Sequence, residues 1–296
     1  MCRRTRQARA TPRPPGRCRA RGRRDHALDS PAPGLGEWAR VVNYRKIQIA
    51  KLPNVEFIPR TRLDAADVRN YGADIVVVAT GARWADDGLN PFSHGPIPGA
   101  DASQPWQLTP EQIMVDGKPV PGDRVVVLDN DGYFMGVSLA ERLALEGKTV
   151  TVVSHLGHVA QYMHYTMERP DMIRRLRRLG VHELGEHGVV SIEPGQVTCV
   201  DLYKEDKVTQ LEADAVVLVT ARRSDEALFR ELEETDGLAV YRIGDCEAPR
   251  LIADCVFSGH RLAREIDSDD PATPKAFIRE RRVLVPDPAA RMGPRG

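Results

Sequence analysis

One stretch, VVVLDNDGYFMGVSLAERLA at residues 125–144, constrains the fold of this chain more than any other. It opens with an apolar run typical of a buried strand and continues with the spacing of an amphipathic helix. We predict a strand at 124–128, a helix at 135–146 ended by Gly147, and a β-branched strand at 149–153. This order is that of the βαβ unit of nucleotide-binding α/β folds, so the sequence predicts a parallel sheet.

The turn of this βαβ unit lacks the chemistry that a pyrophosphate needs. The glycines of G-x-G-x-x-G let the backbone approach phosphates, but Asp131 and Tyr133 stand at the first two glycine positions here. A carboxylate about 5 Å from a phosphate charge costs roughly 3 kcal/mol, and Asp129 or Asp131 can itself satisfy the helix N-terminus. The acid expected at the end of the next strand is replaced by Ser154-His155. We therefore expect no NAD(P)H binding at this turn.

The other apolar runs alternate with helical patterns along the chain. ADIVVVATG at 73–81 is typical of a strand that is buried on both faces. We predict further strands at 212–223 and 240–245, and helical segments at 41–52, 65–68, 172–180 and 248–266. Strands that alternate with helices indicate the α/β class.

Two short motifs lie where predicted strands end, and they supply the candidate cofactor-binding residues. In the first, Ala79, Thr80 and Gly81 let the backbone approach a phosphate or a ring closely. In the second, Gly244 gives close approach and Asp245 can accept from sugar or ribityl hydroxyls, before a helix whose N-terminus can face an anion. Two plainer interpretations stay open: a strand that simply ends in a glycine turn, and an aspartate that caps the following helix.

The net charge of zero conceals an uneven distribution. Residues 1–24 contain ten arginines and no acid, which leaves 32 basic and 42 acidic residues in the rest of the chain, a net charge of −10. Because this body is acidic, we expect no nucleic-acid partner. No apolar run reaches the 18 residues of a membrane span, so we expect no membrane partner.

The cysteines and histidines show no pattern of a metal or catalytic site. The five cysteines are odd in number and lack metal-ligand spacing. We interpret them as reduced thiols of a cytoplasmic protein. Because no Ser-His-Asp or nucleophile-elbow pattern occurs, we assign no catalytic residue and no metal ligand.

An aromatic and methionine-rich patch follows the second strand of the βαβ unit. It consists of Tyr162, Met163, His164, Tyr165 and Met167. Two interpretations are open: the patch packs in the core, or it contacts a neighbouring domain.

The first 33 residues differ in composition from the rest of the chain. They are rich in Arg, Pro and Gly and too poor in apolar residues to order themselves. Three interpretations stay open: a disordered basic tail, a transit peptide, or translation of a GC-rich gene in a wrong frame. We predict a disordered segment at 1–33 and a C-terminal tail at 271–296.

Several motifs together resemble one family. The order of ATG, a second βαβ unit and IGD is that of the two-domain flavoproteins of the glutathione-reductase type. A dense set of stretches resembles the C-terminal half of the trimethylamine, dimethylamine and histamine dehydrogenase family: PGLGEW (33–38), ATGARW (79–84), PIPGADAS (96–103), QLTPEQ (107–112), YFM (133–135), SLAE (138–141), YMH (162–164) and IGDCEAPRLIAD (243–254). The resemblance covers roughly residues 33–280.

The resemblance implies two Rossmann-like parallel-sheet domains, of which the first is incomplete. The FAD- or ADP-binding-like domain comprises 34–118 plus 224–270, and the NAD(P)-binding-like domain comprises 119–223. ADP or FAD is implied at the first domain, on the two candidate motifs. FMN and a [4Fe-4S] cluster are implied in an N-terminal TIM barrel that has no counterpart here. An electron-transferring flavoprotein is the implied partner, and the full-length protein is implied to be a homodimer.

The expected function is that of an amine-oxidising oxidoreductase whose catalytic centre lies outside this chain. Neither the barrel, nor its cluster cysteines, nor the first G-x-G-x-x-G is present, so we expect the isolated chain to be inactive. We also expect poor solubility, because parallel strands would lack partners. Two alternatives stay open: a free-standing FAD-dependent NAD(P)H oxidoreductase, and a non-catalytic module that binds ADP or a partner.

Overall fold

The computed structural model describes Pro33 and residues 36–275, apart from the side chain of Glu205. The predictions for the tails at 1–33 and 271–296 therefore fall almost wholly outside the described residues. The helices are α1 (Ala39–Ile49), α2 (Ala65–Tyr71), α3 (Pro110–Met114), α4 (Phe134–Leu145), α5 (Arg169–Arg178), α6 (Ala227–Glu233) and α7 (Ile252–Glu265). The strands are β1 (Ile75–Val78), β2 (Ala82–Trp84), β3 (Gln107–Leu108), β4 (Arg124–Asp129), β5 (Thr149–Val153), β6 (His182–Leu184), β7 (His187–Glu193), β8 (Gly195–Asp201), β9 (Lys204–Ala213), β10 (Ala215–Val219), β11 (Arg222–Ser224) and β12 (Ala239–Arg242).

A five-stranded parallel sheet of order β3-β10-β4-β5-β6 forms the centre of the fold. The predicted βαβ unit is present as β4, α4 and β5, and the α/β class with a parallel sheet is confirmed. Along β4, Val125 and Val127 pack into a core with α4, while Val126 and Leu128 pack into a second core on the opposite face. Burial on both faces explains why this strand is a continuous apolar run.

The second face of the parallel sheet is covered by a three-stranded antiparallel sheet of order β7-β8-β9. Along β8, Val197 and Cys199 are fully buried against the parallel sheet, and Thr198 between them is less buried. The sequence patterns did not predict this sheet. Its strands alternate inward and outward positions, but several outward positions are also apolar, such as Val190 and Val208, so the alternation is weak. We call these two sheets with α3, α4 and α5 the large lobe.

A separate parallel pair, β1 and β12, forms what we call the small lobe with α2, α6 and α7. Its core contains four buried residues, Ala65, Val78, Leu232 and Cys246. The prediction that the strand at 73–81 is buried on both faces is wrong. The observed strand is four residues long, and on one of its faces Ile75 and Val77 are 41% and 40% exposed.

Two other predicted strands end earlier than expected, one because the chain changes sheet and the other because of a glycine. The run predicted as one strand at 212–223 ends at Val219 in the parallel sheet, and the chain then pairs β11 antiparallel with β2. The strand predicted at 240–245 ends at Arg242, because Gly244 has a positive φ of 63° and begins a 3₁₀ turn. Within the described residues, no helix combines the length and apolarity that crossing a bilayer requires.

Candidate functional site

The pairing of β1 with β12 brings the two predicted motifs together. The register aligns Val78 with Arg242, and the Ile243 amide donates to the Val78 carbonyl oxygen at 3.0 Å. Ala79–Gly81 and Gly244–Asp245 therefore leave neighbouring parallel strands at the same edge. This is the edge at which open α/β sheets bind ligands.

A short segment after β11 ties the two motifs to each other. The Asp225 amide donates to the Gly81 carbonyl at 2.9 Å, and the Thr80 hydroxyl donates to the Asp225 carbonyl. On the other side, the Ser224 hydroxyl donates to the backbone carbonyl of Asp245 at 2.9 Å. The Thr80 hydroxyl is therefore already used in holding the motifs in place.

The Asp245 carboxylate is also engaged by the protein itself. One of its oxygens accepts from the Arg250 amide at 2.9 Å and from the Cys255 thiol at 3.2 Å. Burial, helped by Asp245, raises the pKa of the Cys255 thiol to about 11. The neighbouring Gly244 amide donates to the Ser258 hydroxyl at 2.8 Å. Asp245 therefore does not cap α7, whose N-cap residue is Leu251, and its carboxylate instead closes the loop before that helix. Binding of sugar hydroxyls by Asp245 stays a prediction.

Gly81 is the one candidate residue whose backbone faces open space. It has a positive φ of 86°, and no atom lies within 4 Å of the position that a Cβ would occupy. At Gly244, by contrast, an added Cβ would lie 3.5 Å from the Cβ of Cys255. A sugar or a ring can therefore approach bare backbone at Gly81.

The start of α7 does not fit a phosphate group. The Leu251 amide donates to the Asp254 carboxylate at 3.1 Å, and the Arg250 amide is taken by Asp245. Two carboxylates therefore occupy the place where a free helix N-terminus would attract an anion. The described residues at this edge do not form a pyrophosphate cradle, so we derive no step that involves ADP or FAD.

The side chain of Asp129 occupies the centre of the turn in the βαβ unit. It is fully buried, and its oxygens accept from the Gly132 amide at 3.1 Å and the Ala160 amide at 2.8 Å. Burial raises the pKa of Asp129 to about 7, and the like charge of Asp131 adds to this rise. Gly136 is needed beside it, since an added Cβ there would lie 2.7 Å from the Asp129 carboxylate.

Aromatic side chains fill the space above the same turn. A Cβ on Gly132 would lie 2.5 Å from Leu156 Cδ1 and 2.8 Å from Tyr162 Cδ2. The Tyr162 ring lies 5.3 Å from that of Tyr133 and stacks at 6.4 Å on that of Tyr165. Within the predicted aromatic and methionine-rich patch, Met163 is fully buried in the core. Tyr165 and Met167 of the same patch are exposed, so the core interpretation holds for Met163, and contact with a neighbouring domain stays a prediction for these two residues.

The carboxyl edge of the parallel sheet is further covered by the segment 89–92. The Ala221 amide, just beyond β10, donates to the Leu89 carbonyl at 2.8 Å. The Phe92 ring lies 6.3 Å from the His155 ring and presses on Gly188, where an added Cβ would lie 2.4 Å from Phe92 Cε1. Burial lowers the pKa of His155. Side chains of the protein thus occupy the region in which a dinucleotide would lie.

Arg222 is a central residue that the sequence patterns did not single out. Its guanidinium lies 3.7 Å from the carboxylate of Asp131 in the large lobe and 3.5 Å from that of Asp245 in the small lobe. It also lies 5.4 Å from the centre of the Trp84 ring and donates to the Arg250 carbonyl at 3.2 Å. The only sequence signal was two consecutive arginines at the end of an apolar run.

The described residues contain no group of three or more His, Cys, Asp or Glu side chains that could hold a metal ion. The fold and the site together define an α/β protein of the nucleotide-binding type whose second glycine turn is filled by its own side chains. Residues 108–231 match the family model described as the OYE-like second alpha/beta domain.

In an alignment of 280 residues that covers 85% of this chain, the sequence is 42% identical to dimethylamine dehydrogenase of Hyphomicrobium sp. (strain x). Histamine dehydrogenase of Rhizobium sp. 4-9 is 36% identical with a TM-score of 0.76, over 84% of this chain and 40% of that one. The 6-hydroxypseudooxynicotine amine oxidase of Pseudomonas geniculata N1 is 37% identical with a TM-score of 0.73, over 77% of this chain and 34% of that one.

These matches confirm the resemblance to the trimethylamine, dimethylamine and histamine dehydrogenase family, to which this chain is related over most of its length. The chain spans 38% of the length of dimethylamine dehydrogenase.

Proposed function

We propose that this chain is the nucleotide-binding-like portion of an iron–sulfur flavoprotein amine dehydrogenase. The activity of the whole protein is then oxidative N-demethylation or deamination of a small amine. The observation that supports this most is the 42% identity to dimethylamine dehydrogenase over 85% of this chain. In this proposal, FMN and the [4Fe-4S] cluster belong to a barrel outside this chain. The whole protein is a cytoplasmic homodimer that passes electrons to an electron-transferring flavoprotein.

Within that enzyme, the described residues act as a scaffold and supply no catalytic group. The two-domain arrangement proposed above assigns 34–118 plus 224–270 to an FAD- or ADP-binding-like domain and 119–223 to an NAD(P)-binding-like domain. Arg222 holds the turns of the two lobes against each other through Asp131 and Asp245. ADP or FAD remains a proposal for Ala79–Gly81 and Gly244–Asp245, and its phosphates need donors from outside the described residues.

The alternative of a free-standing NAD(P)H oxidoreductase is opposed by the filled turn. Asp129 accepts from the Gly132 amide of the turn and from the Ala160 amide beyond β5, and Tyr162 lies where a dinucleotide would approach Gly132. A non-catalytic module that binds ADP is favoured by one observation, the open backbone of Gly81. Titration with ADP and with NADPH separates these alternatives, because the non-catalytic module predicts ADP binding and the NAD(P)H oxidoreductase predicts NADPH binding in the micromolar range.

A domain replacement tests the proposed function directly. In dimethylamine dehydrogenase of Hyphomicrobium, the matching portion is replaced by residues 36–275 of this chain, and reduction of a dye by dimethylamine is measured. We expect activity in the replacement and none in the same enzyme truncated before the matching portion. A replacement that folds and binds flavin but does not respond to dimethylamine would contradict the proposal.

A further inference from the structure

Three tyrosine side chains cluster at the turn of the βαβ unit. The Tyr133 and Tyr162 rings lie 5.3 Å apart, and the Tyr162 and Tyr165 rings are nearly parallel with their centres 6.4 Å apart. The Tyr162 amide donates to the Gly132 carbonyl at 2.9 Å, which holds this segment against the turn. Tyr133 and Tyr162 are partly buried, whereas Tyr165 is exposed. The tyrosine cluster therefore has a fixed base and an open side.

The hydroxyl of Tyr133 lies near two carboxylates, one from each lobe. Burial raises the pKa of this hydroxyl, and the negative charges of Asp131 in the large lobe and Asp254 in α7 add to the rise. Because such electrostatic effects weaken with distance, the start of α7 lies beside the tyrosine cluster. Within the described part of the chain, the hydroxyls of Tyr133, Tyr162 and Tyr165 have no hydrogen-bond partner.

The positive charge nearby does not balance these carboxylates. Asp131 shares the guanidinium of Arg222 with Asp245, at 3.7 Å and 3.5 Å. Asp254 accepts from the Leu251 amide at 3.1 Å and forms no ion pair with a described residue. Three carboxylates thus accompany one guanidinium where the two lobes meet. The rings of the tyrosine cluster therefore lie beside an excess of negative charge, which favours a cation over an anion or a neutral ligand.

We propose that the tyrosine cluster binds a small alkylated ammonium ion. The faces of aromatic rings attract cations, and groups of aromatic rings are a recurring means by which proteins bind quaternary ammonium ions. The methyl groups of such an ion contact the rings, while its charge is attracted by Asp131 and Asp254. The ion contacts both lobes at the place where Arg222 joins them. This inference does not rest on the proposed function, in which the amine is oxidised outside this chain.

The test titrates the full chain into tetramethylammonium chloride at constant ionic strength and follows the methyl signal of the ion by proton NMR. We expect an upfield shift and saturation transfer from aromatic protons, with a dissociation constant on the order of millimolar. The neutral molecule tert-butanol has a similar shape and serves as the control ligand. It should bind about tenfold more weakly, because it lacks the charge that the rings and carboxylates attract.

Variants of exposed tyrosines separate binding at the cluster from binding elsewhere. Tyr165→Leu removes a ring and should weaken binding by about threefold or more, whereas Tyr165→Phe keeps the ring and should retain the affinity. Tyr203→Leu is the matched control, since Tyr203 is as exposed as Tyr165 and lies between β8 and β9. Asp254→Asn keeps the size of the side chain and removes its charge, so it should also weaken binding by about threefold.

Three results would overturn the inference. One is the absence of a saturable shift of the methyl signal. Another is equal affinity for tert-butanol, which would show that the contact is apolar and does not recognise charge. The third is the same affinity in Tyr165→Leu and Tyr203→Leu, which would show that the ion binds away from the tyrosine cluster. No turnover is measured, so these results leave the proposed function to its own test.

Discussion

At the scale of single residues, Asp129 at the end of β4 shows how a side chain can occupy a turn that would otherwise cradle phosphates. Its carboxylate accepts from the Gly132 amide inside the turn and from the Ala160 amide beyond β5. The sequence predicted that Asp129 or Asp131 would satisfy the N-terminus of α4, but within the described residues no side chain caps that end of the helix. The sequence did not predict Tyr162 above Gly132, because that contact joins residues 30 apart in sequence.

The protonation of Asp129 should make stability depend on pH. Burial raises its pKa from the ordinary 3.8 to about 7, so the folded chain retains a proton that the unfolded chain loses. The contribution of protonated Asp129 to the free energy of unfolding is fully present below pH 3.8 and is lost as the pH rises through 7. Its upper limit is roughly 4 kcal/mol. We expect the urea midpoint to fall between pH 5.5 and 8, and Asp129→Asn to flatten this fall.

Titration of His155 should make stability rise with pH, opposite to the effect of Asp129, so a variant of His155 serves as the control. Burial lowers its pKa from the ordinary 6.5, so its contribution is present above 6.5 and is lost as the pH falls. In His155→Gln the urea midpoint should therefore fall more steeply, as the pH rises to 8, than it does in the wild type. An Asp129→Asn variant with the wild-type slope would show that Asp129 does not titrate in this range.

Two helical glycines should respond in opposite ways to the same substitution. In α4, Gly136→Ala places a methyl group 2.7 Å from the Asp129 carboxylate, and we expect a loss of about 1–3 kcal/mol. In α7, Gly259→Ala meets only Ile243 Cδ1 at 3.7 Å, and the better helix propensity should add up to about 1 kcal/mol. Urea unfolding measures the change in the free energy of unfolding for both variants. Equal changes would show that the contact with the Asp129 carboxylate does not require a glycine at position 136.

At the scale of elements, the βαβ unit was predictable and the connections between sheets were not. The strand at 149–153 was predicted with the bounds that the structure shows, because a run buried on both faces is unmistakably apolar. The run at 212–223 was predicted as one strand, since apolar patterning does not reveal that β10 and β11 join different sheets. The two candidate motifs were found because each ends a strand, whereas Arg222 acts through contacts across the two lobes.

The contacts of Arg222 give β11 a role in holding the two turns together. Arg222→Ala leaves the largely buried Asp131 without its counter-charge, so we expect a loss of about 1–3 kcal/mol. Because the charge of Arg222 lowers the pKa of Asp131 against burial, the loss should be larger at pH 8 than at pH 5.5. The neighbouring Arg223 is more exposed and pairs with Asp87, so Arg223→Ala should cost at most about 1 kcal/mol. Equal losses in the two variants would argue against a special role for Arg222.

At the scale of the whole molecule, the two lobes differ greatly in the size of their cores. The parallel sheet of the large lobe is packed on both faces, by 21 buried residues on one and 11 on the other, whereas the core of the small lobe has four. Apolar burial contributes roughly 25 cal/mol per Å², so the small lobe should open at a lower free energy than the large one. The open face of β1 adds to this difference, since Ile75 and Val77 contribute little while they stay exposed.

Two fully buried thiols, one in each lobe, allow this difference to be measured. Cys246 lies in the small core and Cys199 lies between the two sheets of the large lobe. Burial raises the pKa of Cys199 to about 12, so this thiol reacts only when its surroundings open. With increasing urea, alkylation followed by peptide mass spectrometry should label Cys246 before Cys199. Simultaneous labelling of the two thiols would show that the lobes unfold as one unit.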